Sequence, residues 1–261
     1  MRVRSSPVLC LKASLSKSRI NNGPVPTATL WLLNGNCVGD DALAFFVQRL
    51  SSSEANHYGS FLRRERRRQF LLGRTLLRFA VSNLTGLPVD ELDVVERPGN
   101  APLLVLPDSQ HASPNFSLSH SRNWVACVVS CDVTLGLDIE VNETARDTDA
   151  ISELVFHPSE HLWLLTLSNA ERVSSFYQIW CAREALHKLL CNLGREADLS
   201  ALVESNVAQE LERFGWHQTI RAFPGLSIVA VSDRRFAIRE RILERVTRAD
   251  WIAASQHPYS N

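Results

Sequence analysis

One stretch of this chain occurs twice. QFLLGRTLLRFAVSNL, from Gln69, aligns without a gap to QIWCAREALHKLLCNL, from Gln178. Gln69 matches Gln178, Arg74 matches Arg183, Leu77 matches Leu186, Asn83 matches Asn192 and Leu84 matches Leu193. Both copies carry apolar residues at helical spacing. Each is followed, after a variable stretch, by an apolar strand pattern: WVACVVS in the first half and LSIVAVS in the second. Two unrelated amphipathic helices would share some positions by chance. The repeated order of helix and then strand favours two related α+β lobes with a junction near Cys131–Gly136. That places the lobes at residues 27–133 and 134–261, with a ligand cleft between them.

The rest of the chain fits a sizeable core. It has 261 residues, 45% of them apolar, enough for one large domain or two small lobes. Acids and bases balance at 28 each, which argues against a nucleic-acid coat and for no nucleic-acid partner. The cysteines (Cys10, Cys37, Cys127, Cys131, Cys181, Cys191) form no C-x-x-C, so reduced thiols in a cytoplasmic protein are expected. No apolar run approaches the ~20 residues of a membrane span, so no membrane partner is expected either. Residues 1–26 carry Arg2, Arg4, Lys12, Lys17 and Arg19 without an acid. They read as a basic, disordered tail with a transit-like composition, outside the fold.

Along the chain, TATLWLL (Thr27 to Leu33) reads as a strand and Asp40–Leu50 as a helix. SSSE (Ser51 to Glu54) has the form of a capping box, and helical pattern continues to Gly86. Two short extended pieces, Leu92–Glu96 and Leu103–Leu106, flank a turn at RPGNAP. Trp124–Ser130 and Thr134–Glu140 read as the two strands of a hairpin joined at CDV. Helical pattern returns at Asp149–Leu167 and Val173–Leu193, and the chain closes with the strand LSIVAVS and a charged helix.

The second copy of the repeat raises a chemical question. Phe176, Ile179, Leu186, Leu190 and Leu193 make its buried stripe, while Arg183, Glu184, His187 and Lys188 crowd the other face. Taken alone, that face reads as solvated, with a Glu184–Lys188 pair at i, i+4. GLDIEV supplies a partner. In a strand Asp138 and Glu140 share a face while Leu137 and Ile139 point to the core. Neighbouring carboxylates repel unless a cation lies between them. With Glu184 they make three acids, a complement for Mg²⁺ bridging to substrate phosphates, and Lys188 one turn on would face the same phosphates. A solvent-facing strand edge is the plainer account of the acid pair. FSLSHS puts Ser119 and His120 close to Asp138, and Arg64, Arg68 and Arg74 of RRERRRQFLLGR could fork onto phosphate oxygens.

Three segments, in order, resemble the signature motifs of the 4′-phosphopantetheinyl transferases of the surfactin-synthetase-activating (Sfp-like) type. They are NFSLSHSRNW (Asn115 to Trp124), LGLDIEV (Leu135 to Val141) and WCAREALHK (Trp180 to Lys188). LVFHPSEHLWL is similar to a further F-F-x-x-x-E segment, at Phe156 and Glu160, and RRRQFLLGRTLLR to a helix of the family's first half. The resemblance covers roughly Leu50 to Ser232. It implies two pseudo-twofold-related lobes, coenzyme A in the cleft and Mg²⁺ (or Mn²⁺) on its pyrophosphate. It implies Asp138, Glu140 and Glu184 as metal carboxylates. Ser119, His120, Lys188 and Arg64, Arg68 and Arg74 would contact coenzyme A. The reaction would move phosphopantetheine to a serine of an acyl, peptidyl or aryl carrier protein and release adenosine 3′,5′-bisphosphate. Glu184 would be the base and Lys188 would support the leaving group. A monomer and an acidic helix on the carrier are further expectations.

The chain departs from the family pattern at GNAP, where G-K-P is common, so Ala101 stands in place of a lysine. Arg183 likewise replaces the commoner lysine of the third motif. The rival readings are a metal-dependent phosphodiesterase or nuclease, and a non-catalytic homologue that binds carrier protein or coenzyme A. A nuclease site more often sets its last acid and lysine two apart on a strand, not four apart on a helix.

Overall fold

The computed structural model describes residues 24–97, 101–107, 113–195 and 205–256. Its organisation follows from strand β1 (Thr27–Asn34), which is apolar on both faces. Ala28, Leu30 and Leu32 enter one core, whereas Trp31 and Leu33 enter another. A strand buried on both faces needs a layer on each side.

β1 sits inside a sheet of order β4-β5-β1-β9. β4 (Asn115–Ser121) and β5 (Trp124–Ser130) form a hairpin, β5 runs antiparallel to β1, and β9 (Ala237–Leu243) runs parallel to it. A second, antiparallel sheet has the order β6-β8-β7, from β6 (Leu135–Val141), β7 (His217–Phe223) and β8 (Leu226–Ser232). The sheets stack face to face. Ala126 and Val128 of the first meet Leu135, Leu137, Ile139, Ile228 and Ala230 of the second.

Helix α3 (Arg64–Thr85) covers the outer face of the first sheet through Leu72, Leu76 and Phe79. Helix α6 (Asn169–Asn192) covers the second through Ala182, Ala185, Leu186 and Leu189. These are the two aligned helices, and they occupy corresponding outer layers of an α+β molecule. Around α3 lie α1 (Asp40–Val47), α2 (Ser52–Ser60) and a small arm of β2 (Asp93–Val95) paired with β3 (Leu103–Val105). Around α6 lie α4 (Thr148–Val155), α5 (Pro158–Leu165) and α7 (Val207–Phe214).

Four expectations change. The hairpin expected from Trp124 to Glu140 is not formed, because β5 and β6 belong to different sheets. The CDV segment carries the chain between them, with Ser130 Oγ accepting the amides of Asp132 and Val133. The helical pattern at Asp149–Leu167 is two helices, parted where His157 caps α5 and Pro158 opens it. Phe61 is extended and separates α2 from α3. The charged segment after Ser232 begins as strand β9, and only then becomes helix α8 (Arg248–Gln256). Its run of charges marks an exposed edge strand, which imitates a helical surface in sequence. Residues 237–256 therefore join the first sheet and its core, where Trp251 meets Phe45, Phe46 and Phe79. The basic tail expected at residues 1–26 lies mostly outside the described residues.

Gly136 fixes how closely α6 approaches β6. A Cβ at this position would stand 1.8 Å from the Ala185 carbonyl oxygen and 2.6 Å from the Leu189 amide nitrogen. Both are backbone atoms, so no side-chain rotation relieves the clash. Gly136→Ala is expected to cost about 3 kcal/mol or more in urea unfolding. An unchanged midpoint would show that the helix can lift away.

Candidate active site

β6 is the edge of one sheet and β4 the edge of the other, and side chains close the gap between them. The serines of FSLSHS recur every second residue, so Ser117, Ser119 and Ser121 share one face of β4. Their Oγ atoms accept the backbone amides of Leu137 (3.0 Å), Ile139 (3.3 Å) and Val141 (3.0 Å). Asn192, at the end of α6, donates to the carbonyls of both Phe116 (3.0 Å) and Leu135 (2.7 Å). A strand edge that would otherwise lack partners is thereby satisfied by hydroxyls and an amide.

The same hydroxyls address the acids. Leu137 and Ile139 do point into the core between the sheets, and Asp138 and Glu140 face the α6 side. Asp138 is 5% exposed. Its Oδ1 accepts from Ser119 Oγ and from Lys188 Nζ, each at 2.7 Å, while among the described residues its buried Oδ2 has no hydrogen-bond partner within bonding distance and the Cys181 thiol lies close to the carboxylate. Ser121 Oγ donates to Glu140 at 2.6 Å. Burial raises the Glu140 carboxyl above its usual range, and Asp138 adds to this against the opposing Ser121, Arg146 and Lys188.

Lys188 also donates to the Leu137 carbonyl at 2.9 Å. The Glu184–Lys188 pair expected on one helix face is therefore replaced by a Lys188–Asp138 pair between α6 and β6. Glu184 is exposed on α6. Among the described residues no three His, Cys, Asp or Glu side chains form a metal-holding group. Asp138 and Glu140 are brought together, and Glu184 stands apart as the chain is arranged.

His120 lies at the rim. Its Nε2 is 3.1 Å from Arg66 Nη1. His120 is exposed, yet desolvation on the side that packs lowers its pKa first, and the charges of Arg66 and Lys188 lower it further. Arg66 was not among the expected contacts, although it sits in the same arginine run. Arg64 is exposed at the start of α3. Arg68 and Arg74 depart from expectation. Arg68 donates to the carbonyls of Gly35 (2.6 Å) and Val38 (2.7 Å). Arg74 is buried against Glu96, with Glu54 nearby. At about 100° per residue the two point roughly 120° apart, so these three arginines do not share a face. Ser119 is also buried, and its one proton is committed to Asp138.

The other motif residues hold the frame. Glu160 pairs with Arg183 and accepts the first amide of α7, at Val207. Arg183 also reaches the Ser205 carbonyl. Trp180 stacks on Phe176, and Trp124 meets Phe223 edge-on. Cys181 is fully buried behind the acids, and burial raises its thiol well above the usual range. Of GNAP, Gly99 and Asn100 lie outside the described residues; Arg97 Nε donates to the Ala101 carbonyl at 2.8 Å.

Two sequence comparisons bear on this geometry. Residues 39–132 match the 4′-phosphopantetheinyl transferase N-terminal family, and residues 134–251 match the 4′-phosphopantetheinyl transferase superfamily. The chain belongs to that superfamily. The two matches meet close to the crossing from β5 to β6. Among curated relatives, the 4′-phosphopantetheinyl transferase HetI of Nostoc is 28% identical over 53% of this chain and 58% of its own. The 4′-phosphopantetheinyl transferase gsp of Aneurinibacillus migulanus is 34% identical over 29% of this chain and 31% of its own. AcpT of Salmonella typhimurium, likewise a 4′-phosphopantetheinyl transferase, is 29% identical over 47% of this chain and 58% of its own. Each match spans less than two thirds of the relative. None of the described helices is long and apolar enough to cross a membrane.

Proposed function

We propose that this superfamily member transfers the 4′-phosphopantetheine arm of coenzyme A to a serine hydroxyl of an acyl, peptidyl or aryl carrier protein. Adenosine 3′,5′-bisphosphate would leave. The observation that carries the reading is the buried Asp138 with one unpartnered oxygen, beside Glu140 and against Lys188. An orphaned carboxylate oxygen inside a protein is costly unless a cation completes it. Two hard oxygen donors facing one way suit Mg²⁺, which binds through one or two carboxylates and takes the rest of its shell from water and phosphate.

Asp138 and Glu140 would hold the metal, with Glu184 a third ligand if α6 or its side chain turns inward on loading. Bound there, Mg²⁺ supplies neutralisation of the pyrophosphate and of the charge that develops on the departing phosphate. Lys188, anchored by Asp138 and Leu137, presents a point charge to the same phosphates. Glu184, exposed on α6, would take the proton of an incoming serine. Arg66 and His120 would form a rim for phosphate, Arg66 as a fixed charge and His120 as a ring that gains its proton on binding, with Arg64 beyond it. We place the substrate cleft at the β4–β6 seam, where the two lobes meet.

A binding experiment tests the coenzyme A half of this reading. In the free protein desolvation and the charges of Arg66 and Lys188 push the His120 pKa down from its usual range, which favours the neutral ring. A phosphate at hydrogen-bond distance favours the imidazolium and raises that pKa. Coenzyme A should therefore bind with proton uptake and bind more tightly as pH falls from about 8 toward 6. Calorimetry in buffers of different ionisation enthalpy measures the uptake, and His120→Ala should abolish it. No binding, or binding with no proton uptake, contradicts the assignment.

A further inference from the structure

The serine ladder carries an inference beyond the transferase reading, on which it rests. We propose that Ser121 is the positioning residue for Glu140: its hydroxyl sets where that carboxylate points and so sets the affinity of the site for a divalent cation.

The three serines do unequal jobs. Each accepts one β6 amide, at Leu137, Ile139 and Val141. A hydroxyl has a single proton to give. Ser117 gives no hydrogen bond to a carboxylate among the described residues, whereas Ser119 donates to Asp138 and Ser121 to Glu140. Asp138 has a second donor in Lys188. Glu140 has Ser121 as its one hydrogen-bond donor among the described residues. Ser121 itself is 8% exposed and is fixed at both ends, by Val141 on its acceptor side and by the tight turn that follows it. That turn is rigid too. Arg122 takes a left-handed φ of 52°, its carbonyl accepts from Gln69, and its guanidinium pairs with Glu143.

Removing Ser121's proton should leave Glu140 free to rotate toward water, while the β6 backbone keeps its remaining ladder. Hydrogen-bond partners of metal-binding side chains typically change metal affinity by ten- to hundredfold. The loss should fall on metal affinity rather than on the limiting rate, since Ser121 touches neither coenzyme A nor the carrier serine in this reading.

The ladder contains its own control. Ser117→Ala removes an equivalent seam bond, to Leu137, and touches no carboxylate. Mn²⁺ binding is read by the electron paramagnetic resonance signal of the free ion, with wild type, Ser121→Ala and Ser117→Ala side by side. Ser121→Ala should bind Mn²⁺ about ten- to hundredfold more weakly. It should need proportionately more Mg²⁺ for half-maximal transfer, with kcat at saturating Mg²⁺ little changed. Ser117→Ala should bind Mn²⁺ as wild type does. Unchanged Mn²⁺ affinity in Ser121→Ala overturns the proposal, and so does an equal loss in Ser117→Ala. If Ser121→Ala does not fold, Ser121→Cys keeps a weaker donor of similar size and should give an intermediate affinity; wild-type affinity there also overturns it. A wild-type protein that binds no Mn²⁺ overturns the metal reading and this inference with it. Binding by wild type and equal binding by Ser121→Ala overturns the inference alone.

Discussion

Asp138→Asn should lower the rate of carrier modification by about a thousandfold or more, while the protein stays folded. The substitution keeps the shape of the side chain and leaves an oxygen for Ser119 and Lys188, but it removes the charge. In the wild type Asp138 is 5% exposed and has one oxygen with no hydrogen-bond partner among the described residues. Loss of the charge takes away both the stronger donor to a cation and the counter-charge that holds Lys188 at 2.7 Å. Interactions aimed at charge that develops in a transition state, in a site shielded from water, are worth about 10²–10³ in rate for a single donor. Here two such interactions fail together. The check is the initial rate of holo-carrier formation at saturating coenzyme A, with thermal unfolding run in parallel. A rate within tenfold of wild type would show that Asp138 is structural and that the acid pair has no part in transfer.

The second large effect is on stability and lies far from the chemistry. Glu54 is 0% exposed, and its two oxygens take Arg78 bidentately, at 2.9 and 2.7 Å. The same carboxylate accepts the Ser51 amide at 2.8 Å, completing the cap of α2, and Arg74 lies 3.7 Å away. Glu54→Ala strands Arg78, which is 4% exposed, without its counter-charge. Breaking one side of a buried pair costs about 3–5 kcal/mol, more than the pair contributes when intact, because the remaining charge stays desolvated. Urea denaturation should show a loss of that size, and Glu54→Leu combined with Arg78→Met should recover most of it. A loss below about 1 kcal/mol, the range of exposed pairs, would mean that Arg78 finds water or another partner.

The frame was legible where a short periodicity decides the outcome. β6 alternates, β1 and β8 are short apolar runs of strand length, the capping box at Ser51 is local, and the two aligned helices occupy corresponding layers. What the sequence concealed was pairing between distant segments. Nothing local tells Ser130 that its strand pairs with β4 and β1 rather than with β6. Nothing local tells Ala237–Leu243 that it returns to lie parallel to Thr27–Leu33. The arginines failed for a related reason. Arg68 and Arg74 look like phosphate ligands in a basic run, but each has a long-range carbonyl or carboxylate partner that consumes it. Arg66, which does stand beside His120, is indistinguishable from its neighbours in sequence. Ser121 was readable in principle, since it continues the two-residue period of Ser117 and Ser119 on the face that meets β6.

The central claim is transfer of phosphopantetheine, and intact mass of the carrier tests it most directly. Purified apo acyl, peptidyl and aryl carrier proteins are incubated separately with this protein, coenzyme A and Mg²⁺, beside Asp138→Asn and a sample with excess chelator. Our account predicts that at least one carrier gains a single phosphopantetheine on serine, with adenosine 3′,5′-bisphosphate released in equal amount, and that both controls stay apo. Carriers that keep their apo mass while the same protein binds coenzyme A with proton uptake would contradict it, and would leave a binding protein in the fold of a transferase.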